Sequence, residues 1–395
     1  LKNTGLKCVR DIHFEGDFQR KAAETQSRKE ASDCLFASWR LRGFALKIAL
    51  LAFMGVGSNL LAQEPPNPTT PRAPTTQPYM PPKSPEPPPT PWLTGPLIAP
   101  VPAIIPYGDF EIQSYAYCTT NTGTYNSHWH SVGAQHNFFS LNPQFQCFFG
   151  LTPWCDIFIT PQFVYNRTHG QQSCAVGDFP VALEFQLLDP AATPYFPGIK
   201  ISIKETFPTG KYQRLDPNKL LTDATGAGTF STNFNVILYQ VYHLYGLHWL
   251  STTYSAAYTI TSPVNVHGFN TYGGGFGTKG KVMPGNTFQG IISFEYTLNQ
   301  NWVLALDNVY THIDATQFCG NAGSTIPPGV PPPPIPGDTD QPTVGGQSSE
   351  QISFAPAIEY NFSSHFGIIA GCWFSAWGRN ATQFRSGVIN FDYTY

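Results

Sequence analysis

Eight ionisable residues stand at polar positions inside otherwise apolar runs: Asp156, Glu184, Lys200, Lys204, Glu295, Asp307, Glu359 and Asp392. Gathered on one surface, a set with more acids than lysines favours cations or polar solutes passing along it. The structural alternative is that Glu184 pairs with Lys200 or Lys204 on a following strand. Other chemistry is poorly supplied. His128, Trp129 and His130 with His136 lack an acid or thiol spaced to complete a metal site. Thr209, Gly210 and Lys211 miss the glycine and hydroxyl placement of a phosphate loop. The glycines at 273 to 275, 277 and 280 lie between strands with no helix to follow, against a dinucleotide site. No Ser, His and acid set shows the spacing of a hydrolase. The expectation is a protein without metal or cofactor that is not an enzyme.

The elements that must position the eight residues are strands. Phe354, Pro356, Ile358, Tyr360 and Phe362 alternate with Ser353, Ala355, Ala357, Glu359 and Asn361, and Phe288, Ile292, Phe294 and Tyr296 alternate with Gln289, Ser293 and Glu295. Val181, Leu183, Phe185 and Leu187 oppose Glu184 and Gln186, while Ile199, Ile201 and Ile203 oppose Lys200, Ser202 and Lys204. A strand turns successive side chains to opposite faces, so each has one apolar and one polar side. About twelve such strands can be drawn, near 109–117, 136–149, 154–165, 179–188, 199–207, 229–242, 247–260, 286–297, 302–313, 351–361, 366–376 and 382–395. Short polar turns beside an aromatic, at 150–154, 245–249, 298–302 and 362–366, alternate with long Gly-, Pro-, Asn- or Thr-rich connections at 118–135, 166–178, 208–228, 261–285 and 314–350.

Short turns on one rim and long loops on the other, with an even strand count, are the pattern of a bacterial membrane barrel. Composition agrees. Only 12% of residues are charged and 14% are aromatic, against about 25% charged in ordinary globular chains. After residue 62 no stretch approaches the roughly 20 apolar residues of a membrane helix. A lysine on the lipid face near mid-membrane would cost about 2 to 4 kcal/mol, which turns the polar sets inward. The net charge of -3 speaks against nucleic-acid binding, which needs a basic stripe.

The chain ends support export. Ile389, Phe391, Tyr393 and Tyr395 form one greasy face of the last strand. This resembles the closing strand of outer-membrane β-barrels, whose terminal aromatic residue is read by the barrel assembly machinery. Trp39 to Arg42 give a positive flank, Phe44 to Leu61 an apolar run and Ala62 a small residue, together a secretory signal. Residues 1–38 read as an unassigned upstream extension or misplaced start, 39–62 as signal peptide, 63–106 as a Pro-rich periplasmic linker and 107–395 as the barrel. Cys147 and Cys155 flank a tight turn at equal parity; a cross-strand disulfide and a pair of small lipid-facing residues are both open readings.

Gly177 and Asp178 before Val181, the run from Phe207 to Tyr212, and Gly226, Ala227, Gly228 and Thr229 opening a strand resemble the outer-membrane family of transporters of the meta pathway of phenol degradation, which is distantly similar to hydrophobic-compound channels. The resemblance covers about 145–300 and implies a channel; its glycines and prolines shape turns. The expected fold is thus all-β, a transmembrane antiparallel up-and-down barrel of about twelve strands. The expected function is passive or substrate-selective passage of a small-molecule solute across the outer membrane. The expected contacts are membrane lipid and the barrel assembly machinery, with the N-terminal arm and C-terminus periplasmic. The rivals are an adhesive or structural surface protein with a closed barrel, and a barrel enzyme. At this width side chains or an inward loop can plug the lumen.

Overall fold

Alternation of large apolar and small polar residues makes each barrel segment a strand, and the chain pairs them in order. The computed structural model describes residues 90–133, 138–190, 196–329 and 341–395. Twelve staves form the wall: β1 (Phe110–Tyr125), β2 (Phe139–Thr152), β3 (Cys155–Ile159), β4 (Phe179–Leu188), β5 (Gly198–Phe207), β6 (Ser231–Tyr245), β7 (His248–Thr261), β8 (Thr287–Thr297), β9 (Trp302–Ile313), β10 (Ser349–Ser363), β11 (Phe366–Arg379) and β12 (Thr382–Thr394). Each pairs antiparallel with the next, and β1 pairs with both β2 and β12, so the sheet closes on itself. The seam runs from Glu111 opposite Thr394 to Thr124 opposite Thr382. Closure leaves no open edge.

The surface is inverted relative to a water-soluble protein. Phe288, Ile292, Phe294, Leu304, Leu306, Ile358, Phe391 and Tyr393 are exposed on the outside, while Gln113, Ser251, Ser293, Glu295, Asp307, Glu359 and Asn390 are buried inside. That is the arrangement of a barrel that crosses a membrane, with lipid as its outer solvent. At the short-turn rim Trp302 meets Tyr360, Tyr360 meets Phe362, and Phe362 stacks on Phe366, an aromatic belt at one edge.

Several elements differ from expectation. The first strand runs on to Tyr125. The third stops at Ile159, before Pro161; Thr160 still donates to Pro180, but the next segment, Phe163–Thr168, leaves β4 and forms a hairpin with Gln171–Val176. A proline there removes a ladder donor, which breaks the stave. Within two of the long connections, Val264–His267, Lys279–Met283 and Gln317–Asn321 build a separate three-stranded sheet over the long-loop end. Its core is Val264, Val266 and Val282, packed by Tyr212, Tyr272, Phe318 and Val344.

Of the two open readings of Cys147 and Cys155, the disulfide does not form. Cys147 stands opposite Ile159 and Cys155 opposite Thr152, so the two are offset along the hairpin by four residues, about 13 Å at ~3.3 Å each. A disulfide needs α-carbons within about 7 Å. Both thiols are free.

The largest correction concerns the arm. Residues 90–106, read as the end of a periplasmic linker, lie inside the barrel. The extension, the signal segment and the arm up to residue 89 lie outside the described residues.

Candidate functional site

A proline-rich segment cannot join a sheet, because each proline lacks an N–H. Its remaining amides, once buried, must still find acceptors. Here the barrel's acids supply them. Gln300, in the turn between β8 and β9, donates to the Thr90 carbonyl at the short-turn rim (3.0 Å), and Asn361 donates to the Trp92 carbonyl (3.1 Å). Farther in, the Thr94 amide donates to Glu359 and the Thr94 hydroxyl to Asn361. The chain then bends, and the Ile98 amide donates to Asp307 Oδ2 at 2.6 Å, with the amides of Leu97 and Ala99 against the same carboxylate. Successive amides around one anion form a nest. On the return leg Lys200 donates to the Ala103 carbonyl (3.4 Å), and the Ile105 amide donates to Asp156 Oδ2 (2.8 Å).

The segment is therefore a U-shaped loop that rises from the short-turn rim, reverses at Ile98 and comes back to the start of β1. One carboxylate holds each leg and one holds the tip. Apolar contacts seat it further: Leu97, 0% exposed, packs among Tyr115, Ala305, Ala355, Ile369 and Val388, and Ala99 lies on Ile291 and Val309. The wall makes room with glycine. A β-carbon at Gly150 would strike Ile105 and Pro106, and one at Gly371 would strike Leu97 and the neighbouring strand.

All seven buried acids in the wall, Glu111, Asp156, Glu184, Glu295, Asp307, Glu359 and Asp392, lie in the half of the barrel nearer the short turns. One of the two lysines answers them directly. Lys200, 0% exposed, bonds Glu184 at 2.6 Å across adjacent strands. Lys204 stands opposite Ala182, toward the long-loop end, and is half-buried. Asp156 is directly opposite Glu184, while Asp392 stands opposite Gln113. Glu111 escaped sequence reasoning, although its place between Phe110 and Ile112 is the alternation used for the others. It accepts from Gln113 (2.7 Å) and Thr394 (3.3 Å).

The other half of the lumen holds none of these acids. A cleft of about 460 Å³ opens there, lined by Tyr117, Thr119, Ser140, Asn142, Gln144, Val164 and Trp373, with Ile98 of the loop beside them. The interior thus presents aromatic and amide groups on one side of the loop and carboxylates on the other.

Three further groups have structural placements. In the closing strand Ile389, Phe391 and Tyr393 face outward; Tyr395, 84% exposed, exchanges backbone hydrogen bonds with Phe110 (2.7 and 3.0 Å). The turn residues that carried the family resemblance tie the long loops together: Asp178 accepts from the Gly210 and Ala227 amides at 2.9 and 2.7 Å. His128 and His130 sit in an exposed turn whose amides both donate to Asn126, and His136 lies outside the described residues.

No protein-family model and no curated protein matches the sequence. Among solved structures, the fold is similar to the COG4313 outer membrane channel from Pseudomonas putida F1, at 13% identity and a TM-score of 0.53, over 74% of this chain and 97% of that one. Looser matches are the translocator domain of the autotransporter NalP from Neisseria meningitidis (10% identity, TM-score 0.37, 73% and 89% covered) and a mutant of the TodX monoaromatic hydrocarbon channel (9%, 0.30, 73% and 90%). At 13% identity the likeness to the COG4313 channel establishes the barrel fold alone.

Proposed function

We propose that the protein is an outer-membrane channel for small molecules whose lumen is obstructed by its own residues 90–106. The observation that carries this reading is the loop itself: a segment outside the wall's hydrogen-bond ladder, held inside a closed polar barrel mainly by side chain to backbone bonds. Removing it breaks no stave pairing, so the wall can stay closed while the lumen opens. The acids it leaves behind, with only Lys200 and Lys204 facing them, favour a cation over an anion. In this reading the short-turn rim, the loop and the C-terminus face the periplasm, and the long loops face outward.

Within this reading the solute is a small aromatic compound. Tyr117 and Trp373 beside Asn142 and Gln144 support it, offering ring faces and hydrogen-bonding groups to one small molecule. The test is conductance in a planar bilayer, comparing the full chain with a variant in which residues 91–105 are replaced by a short Gly-Ser linker. Low conductance in the full chain and a larger, cation-preferring conductance in the variant is expected. Equal conductance would overturn the obstruction. A folded variant that conducts nothing would favour the closed structural barrel.

A further inference from the structure

On the outer face of the barrel one cation has no partner. Alternation along β12 buries Ser386, Val388 and Asn390 and turns Arg385 outward on the face of Ile389, Phe391 and Tyr393. Among the described residues of the staves, Arg385 is the one outward basic side chain with neither an ion pair nor a hydrogen bond. Arg379, at the rim, bonds Glu350, which also meets His312. The neighbours of Arg385 are Thr120 on β1 and Phe374 on β11, and the outward faces of these two staves carry no acid.

Its depth follows from the register. Tyr393 pairs with Phe366 in the aromatic belt of the short-turn rim. Arg385 lies eight residues farther along β12, about 26 Å of strand at ~3.3 Å each and about 20 Å of height at a tilt of ~40°. The apolar band of such a barrel is about 25 Å tall, so Arg385 is rooted just inside its far edge. Nearer the long loops, Trp377, 54% exposed, meets Phe354 edge-on, and Phe354 packs on Phe374; an outward tryptophan marks the headgroup level. An arginine rooted there extends its charge to that level. The anion at that level is a lipid phosphate, which the planar guanidinium fork matches with two hydrogen bonds. Two neutral donors flank it. The Thr120 hydroxyl, directly opposite, makes no hydrogen bond in the protein. Gln383, two residues along on the same face, has its Oε1 held by Ser131 at 3.1 Å, which leaves its amide nitrogen to donate. Toward mid-membrane the wall is low: Cys118, Gly387 and Cys372 share one outward row across β1, β12 and β11, and a β-carbon added at Gly387 would meet nothing within 4 Å. A phosphate held by Arg385 therefore has space for its own acyl chain directly beneath.

We propose that Arg385, Thr120 and Gln383 bind the phosphate of an outer-leaflet lipid, lipid A, whose acyl chain lies over Cys118, Gly387 and Cys372. The leaflet rests on the orientation given above, with the long loops outward; the site itself is on the outside of the wall and does not depend on conduction.

The test is native mass spectrometry of the full-length protein in a neutral detergent, titrated with lipid A. Arg385→Gln is expected to weaken binding about tenfold, while the Lys279→Gln, Lys281→Gln variant, which removes two exposed charges from the loop sheet, should bind as wild type does. Unchanged binding in Arg385→Gln would overturn the site, and an equal loss in the lysine variant would replace it with diffuse attraction to the loops. Inorganic phosphate in large excess should not displace the lipid; displacement would make this a site for the free ion. If Arg385→Gln does not fold, the wild type decides through its choice of lipid. Retention of lipid A over phosphatidylglycerol and phosphatidylcholine supports the proposal, equal retention of phosphatidylcholine rejects phosphate recognition, and equal or better retention of phosphatidylglycerol rejects the outer-leaflet lipid. A barrel that conducts nothing would leave this site standing, and absence of lipid binding would leave the obstructed channel standing.

Discussion

Leu97→Ala is the most direct probe of the loop. Leu97 is the loop's one fully buried large apolar side chain, packed on wall residues from five staves. Truncating a buried leucine costs about 2.7 to 5 kcal/mol, part lost transfer and part residual cavity. Nearly all of that falls on the seated state, because a displaced loop exposes residue 97 in either form. At about 1.4 kcal/mol per factor of ten, the fraction of time the loop is out should rise roughly a hundredfold or more. Three amide to carboxylate bonds remain, at about 1.5 to 3 kcal/mol each, so the loop stays mostly seated. Hydrogen exchange should therefore report the change before bulk conductance does: the amides of Thr94, Ile98 and Ile105 should lose protection, while those of β1 and β12 keep theirs. Unchanged exchange at the three loop amides would refute the reasoning. So would an equal loss of protection across the staves, which would make Leu97 part of the barrel's own stability.

Four other outcomes follow from the same geometry. Gly150→Ala places a methyl group nearest the backbone of Ile105 and Pro106, and should increase proteolysis near Pro106 without lowering the barrel's melting temperature. Lys200→Met leaves Glu184 buried beside Asp156 without its partner and should cost about 3 to 5 kcal/mol in urea unfolding, with Glu184→Leu added to it restoring most of the loss. Tyr395→Asp should reduce assembled, heat-modifiable protein in cells, yet change the stability of what does fold by less than about 0.5 kcal/mol, since the side chain is 84% exposed; normal surface levels would reject the assembly role. In the long loops, burial pushes the Asp223 carboxyl up, but hydrogen bonds from Lys211 and the Asp216 amide and the lysine charge outweigh it and hold it below its ordinary 3.8. Its folded value is the lower one, so its contribution is whole above 3.8 and is lost as pH falls through the folded value. Exchange in 211–225 should stay slow at pH 5 and quicken in stronger acid, and the Asp223→Asn variant should lack that transition.

The amino-acid sequence by itself determined the wall. Strand alternation is local, so Glu359 between Ile358 and Tyr360, or Glu295 between Phe294 and Tyr296, declares its face without any tertiary knowledge. Turn length is also local, and with the aromatic last strand it set the strand count and the two unlike rims. The same alternation marked Glu111, which was overlooked, whereas the offset of Cys147 from Cys155 depends on the turn falling at Pro153 and Trp154, just after Thr152 pairs with Cys155, a placement that no spacing announces. What only the tertiary structure decided is what the wall encloses. Residues 90–106 read as a linker because proline removes ladder donors and sets an extended backbone, and nothing in that composition says whether the amides left over will meet water or carboxylates. Asp156, Asp307 and Glu359 come from three separate staves, and closure of the barrel brings them around one short loop. The partners of each amide lie 51 to 265 residues away, far beyond any local pattern.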